Sequence, residues 1–125
     1  MERVLGIGGF FFRAKEPQAL ARWYEANLGI CVYPATDEWW MQQGGPTVLA
    51  TFDQDTEHFG RPDQQAMVNF RVADLDAMLA QLRVAAATVA DEIVEATYGR
   101  FAWATDPEGN RFELWQPSPD LRAAD

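Results

Sequence analysis

The sequence contains one cysteine, Cys31, and one histidine, His58. A lone thiol excludes an intrachain disulfide and fits a reducing compartment. Its neighbours Ile30 and Val32 predict a buried, inert group. A lone imidazole cannot supply, within one chain, the triad of two histidines and a carboxylate that many metal enzymes use. Positive charge is scarce too: 10 Lys and Arg stand against 19 Asp and Glu, a formal net charge of −9. Such a surface repels phosphate backbones, so no nucleic-acid partner is expected. No apolar run approaches the roughly 20 residues of a membrane helix, and no membrane partner is expected either. The apolar opening from Val4 to Phe12 lacks the charged n-region and small-residue cleavage site of a leader, so the expected location is cytoplasmic.

What is present suits a packed interior. Apolar residues make up 48% of the chain, which excludes disorder and predicts a single domain over residues 1–125. Val4 to Ala14 reads as a strand broken by Gly6, Gly8 and Gly9, which do not form a GxGxxG fingerprint. Glu16-Pro17 opens a helix, with Pro17 at its first position and an acid at the positive end of the dipole. Leu20, Tyr24 and Leu28 form its apolar face, and Gly29 ends it. Short extended candidates follow around Val32, at Glu38 to Gln43 and at Thr47 to Phe52. Residues 54–65 are polar and read as a linker. Ala66 to Val72 is again a strand, Asp74 caps a helix with the stripe Leu75, Met78, Leu79 and Leu82, and Thr88 to Val94 is a further strand.

The pattern is β-α-β-β-β twice over, with module one at about 4–57, module two at about 66–117 and a frayed tail at 118–125. Phe12-Arg13 with Glu16 recurs as Phe70-Arg71 with Asp74, which points to an internal duplication. The predicted architecture is α+β: two paired βαβββ modules forming a curved mixed sheet with a cup-shaped groove.

The most informative stretch is Tyr98 to Gln116. Asp106-Pro107-Glu108-Gly109-Asn110 is a turn signal between two aromatic-rich strands. Alternation places Phe112 and Leu114 on one face and Arg111, Glu113 and Trp115 on the other. Glu113, a carboxylate in mid-strand among aromatics, is the candidate catalytic residue. A cross-strand partner for an arginine is its alternative role. His58, in the polar linker, reads as a surface residue.

The doubled element order, EPQALARWYEANLGI after the first strand and DPEGNRFELW in the last hairpin resemble the vicinal oxygen chelate superfamily. It comprises the glyoxalase, bleomycin-resistance and extradiol dioxygenase proteins, and the likeness runs over about residues 4 to 117. The resemblance implies four metal-ligand positions, of which Glu113 fills the last. The others fall near Gly9, near Met67 and within Thr47 to Phe52, where no good ligand stands, so the metal site is incomplete and no cofactor is expected. A carboxylate-only site of Glu113 and Asp53 holding Mg²⁺ or Mn²⁺ is the remaining option. Strand exchange in the family implies a homodimer.

Two functional expectations follow. In one, Glu113 is the acid or base of a metal-independent lyase or isomerase, while Arg13 and Arg71 clamp an anionic substrate or pair with acids nearby. In the other, the groove binds or sequesters a small, partly aromatic molecule without chemistry. It would be lined by Phe11, Met67, Trp115, Trp103 or Phe101, and Trp39 or Trp40. Stacking and cation–π contact would then favour a flat, cationic, drug-like ligand.

Overall fold

The computed structural model describes residues 1–32 and 39–122. Its organising feature is the hairpin of β4 (Gly99–Thr105) and β5 (Arg111–Pro117), paired antiparallel over their whole length. Asp106 builds the turn between them. Its Oδ1 accepts the backbone N–H groups of Glu108 (2.8 Å) and Asn110 (3.0 Å), and its Oδ2 accepts the Asn110 side-chain amide (2.8 Å). Gly109 takes φ 86°, a left-handed conformation that side chains resist.

Around the hairpin lies a five-stranded mixed sheet. β1 (Asn69–Arg71) runs parallel to β5 on one side, and β2 (Thr88–Val89) and β3 (Val94–Ala96) pair antiparallel with β4 on the other. The single strand expected at Thr88 to Val94 is therefore two short ones. Pro119–Arg122 forms a helical turn, α3, where a frayed tail is expected.

Two helices cover one face. α1 (Pro17–Leu28) starts and stops where Pro17 and Gly29 predict, with Gly29 at φ 70°. α2 (Leu75–Val84) is capped by Asp74, whose side chain accepts the Ala77 N–H at 3.0 Å. Leu75, Leu79 and Leu82 of its stripe pack with Ala102, Ala104, Phe112 and Leu114 of the hairpin into the buried core. Aromatic contacts from Trp23 and Tyr24 to Phe112 join α1 to the same layer.

Glu16 stands at the N-cap of α1, but its side chain makes no cap bond. The Glu108 carboxylate at the hairpin tip accepts the N–H groups of Lys15 (2.6 Å) and Glu16 (3.0 Å). These two bonds, Glu16's first, hold the Glu108 carboxyl below its usual range. A second clasp is buried: the Tyr24 hydroxyl donates to Asp106 Oδ2 at 2.7 Å. Burial, then this bond, pushes the Tyr24 phenol far above its ordinary value.

The first half does not form the expected strands. Val4 to Ala14, Thr47 to Phe52 and the described part of Glu38 to Gln43 carry no ladder among the described residues. The candidate around Val32 runs into residues 33–38, outside the described residues. An apolar run becomes a strand only when a neighbouring edge takes its N–H and C=O groups. Leu5, Phe11 and Leu49 are each more than 90% exposed, and none lies in a strand.

Candidate functional site

The face of the sheet opposite the helices is set by the same alternation that buries Phe112 and Leu114. In the parallel register Asn69 lies beside Glu113, and in the antiparallel register Trp103 lies across from it. All three side chains therefore project together, and they hydrogen-bond. Asn69 Nδ2 donates to Glu113 Oε1 at 2.6 Å, and Trp103 Nε1 donates to Glu113 Oε2 at 2.9 Å. With 15% of its side chain exposed, Glu113 forms the polar floor of an open concavity of about 400 Å³. Trp103, Phe101, Val94, Ala96 and the acid Glu92 contribute to its walls.

The fourth wall comes from the segment read as a linker. Gln64 imitates a strand residue: its side chain donates to the Arg111 carbonyl (2.8 Å) and accepts the Arg111 N–H (2.9 Å). Arg61 reaches the hairpin tip through the Glu108 carbonyl at 2.9 Å. Arg111 Nε donates to the His58 carbonyl at 3.0 Å, and its guanidinium lies 5.2 Å from the centre of the Trp103 ring. Thus anchored, His58 brings Nε2 to 3.5 Å from Glu113 Oε2, with its ring stacked on Phe52 and edge-on to Trp103. His58, read as a surface residue, keeps 34% of its side chain exposed and stands at the edge of the concavity.

The other sequence-predicted residues are dispersed. Trp115 shares the face of Glu113 but is buried, stacked on Phe101 at 5.8 Å and donating from Nε1 to the Tyr98 carbonyl, and it does not line the concavity. Arg71 donates to the carbonyls of Gln43 (2.9 Å) and Gly44 (3.3 Å) and ties down the first half. Met67, half-buried just before β1, does not line the concavity. Phe11 and Arg13 are exposed on the N-terminal segment and do not line it either. Trp40 packs on Phe70, toward the helices. Asn69, which the sequence did not single out, stands two residues before Arg71 on the same strand face, and the β1–β5 pairing brings it to Glu113. No local signal marked His58.

Among the described residues, the donor set around Glu113 does not fit a divalent metal. Among the described residues, no three His, Cys, Asp or Glu side chains come together. Both oxygens of Glu113 already accept N–H donors, and Asp53 is exposed. A stable site needs several N, O or S ligands converging on one point.

Residues 9–115 match the family described as a glyoxalase-like domain. The chain belongs to that family. It is thereby a member of the vicinal oxygen chelate superfamily, as the DPEGNRFELW hairpin implies. Solved structures similar to this glyoxalase-like domain include an antibiotic binding protein from Streptomyces sp. CB03234, 37% identical over 41% of each chain with a TM-score of 0.38. A glyoxalase/bleomycin resistance protein from the same organism is 32% identical over 44% of this chain and 48% of its own, with a TM-score of 0.38. A virulence protein from Salmonella typhimurium is 17% identical over 79% of this chain and 86% of its own, with a TM-score of 0.46. The glyoxalase-like chain thus spans less than half the length of either Streptomyces protein. Among curated proteins, none matches it. No helix among the described residues is long and apolar enough to cross a membrane.

Proposed function

We propose that this glyoxalase-like domain acts on a small, partly aromatic molecule seated on the Glu113 face, and that binding is its primary function. One observation carries the reading: the Glu113 carboxylate, oriented by two N–H donors, lies at the floor of a concavity walled by Trp103, Phe101 and His58. Small-molecule sites pair an apolar wall with a few placed polar groups, and this one has that composition. The Asn69 and Trp103 donors fix the carboxylate without a metal, and no cofactor is assigned. Residues of the second half and the linker supply the site; a homodimer and a cytoplasmic location complete the proposal.

Catalysis is the second reading, favoured by His58 Nε2 at 3.5 Å from Glu113 Oε2. A carboxylate and an imidazole so placed could move a proton for a lyase or isomerase step, with Glu113 as acid or base. The test of the primary reading is intrinsic tryptophan fluorescence titrated with a panel of cationic, neutral and anionic aromatic compounds. Saturable quenching that is lost in Trp103→Phe supports the site. Emission that no compound alters, or quenching that Trp103→Phe retains in full, contradicts it.

A further inference from the structure

The distance between His58 and Glu113 has a chemical consequence. At 3.5 Å, Nε2 and Oε2 are too far apart for a good hydrogen bond, which lies at about 2.7–3.2 Å. They are close enough for one nitrogen, set to one side of the pair on the concavity, to lie within hydrogen-bonding distance of both. A neutral imidazole protonated on Nδ1 offers Nε2 as an acceptor, and a carboxylate offers only acceptors. With His58 in that neutral form, the pair suits a group with several donors and no acceptor, which is what a primary ammonium is.

We propose that the concavity takes an aromatic compound carrying a protonated primary amine, its nitrogen bridging Glu113 Oε2 and His58 Nε2 from the open side and its ring against Phe101 and Trp103. The inference rests on the small-molecule reading above and names its ligand class. Charge agrees with it: Glu92 and Glu113 line the concavity against one cation, Arg111. That guanidinium is engaged by the Trp103 face and the His58 carbonyl. The receptor is also held in place before any ligand arrives. The His58 backbone N–H donates to Thr56 Oγ1 at 3.2 Å, its ring lies within 5° of parallel to Phe52, and Asn69 and Trp103 fix the carboxylate. Little ordering then remains to be done on binding.

Three probes of similar shape separate the contributions by calorimetry on the whole chain near neutral pH. Benzylamine carries charge and N–H donors, benzyltrimethylammonium carries charge alone, and benzyl alcohol carries neither charge nor N–H. A hydrogen bond to a charged group is worth a factor of about ten or more. Benzylamine should therefore bind about tenfold tighter than either of the others. Glu113→Gln should collapse that ratio, and His58→Leu should reduce it, with benzyl alcohol little affected. Equal binding of benzylamine and benzyl alcohol in the unmodified protein overturns the proposal without relying on any variant. A ratio unchanged in folded Glu113→Gln overturns it as well. If neutral or anionic aromatics bind and benzylamine does not, the amine assignment fails while the small-molecule reading stands. If no aromatic compound binds at all, both fail.

Discussion

Replacing Tyr24 with phenylalanine tests how the two halves of the chain are held together. Tyr24 and Asp106 are 8% and 4% exposed, and the hydroxyl donates to Asp106 Oδ2 at 2.7 Å. Phenylalanine keeps the ring contacts to Phe12, Trp23, Phe70 and Phe112 and removes only that bond. A hydrogen bond to a charged group contributes about 1.5–3 kcal/mol. Asp106 retains the Glu108 and Asn110 N–H groups and the Asn110 amide, so it is not orphaned. The lower figure, about 1.5 kcal/mol, is therefore expected. In urea, with a slope of about 1–3 kcal/mol/M, the midpoint falls by roughly 0.5–1.5 M at unchanged slope. The alkaline limb gives an independent check. Because the folded phenol is raised by burial and by Asp106, its contribution is complete below the unfolded value near pH 10. It is lost as pH rises beyond that toward the folded value, since only the unfolded chain then releases the proton. Tyr24→Phe should flatten this limb. A midpoint that does not move, or identical alkaline limbs, would refute the clasp.

Three further outcomes follow from the same contacts. Glu108→Gln should speed amide hydrogen exchange at Lys15 and Glu16. Because the Glu108 carboxyl titrates below its usual range, its contribution is present above the unfolded value, about 4.3, and should fade as pH drops toward the folded one. Phe112→Ala removes a ring that is 1% exposed and packed on Trp23, Tyr24 and Phe70, and should cost about 3–5 kcal/mol by urea unfolding. Added Zn²⁺, Ni²⁺ or Mn²⁺ should not bind stoichiometrically at Glu113, as elemental analysis after dialysis would show; metal lost in Glu113→Ala would reveal a donor set absent from the described contacts.

How much of this was legible depended on sequence distance. Pro17, Gly29 and Asp74 punctuate the two helices, and their boundaries follow from local backbone chemistry alone. Asp106 to Asn110 announces the hairpin for the same reason, and strand alternation then assigns Phe112 to the core and Glu113 to the open face. The partners of Glu113 were harder. Asn69 reaches it only through the parallel pairing of β1 with β5, a long-range register that no local signal sets. His58 arrives because Gln64 and Arg111, 47 residues apart, bond as if they were ladder neighbours. A polar linker with one histidine reads the same whether it is strapped to a sheet or free in water. Arg71 shows the converse: its strand phase was right, yet the carbonyls of Gln43 and Gly44 engaged it before any site could.

The central claim is that the Glu113 face is the binding surface. The most direct measurement follows the indole N–H resonance of Trp103, which donates to Glu113 Oε2, while aromatic amines are titrated into labelled protein. A saturable shift at Trp103, absent in Glu113→Gln, is the predicted result. Saturable shifts confined to other indoles, with Trp103 unmoved, would place the ligand elsewhere and contradict the account.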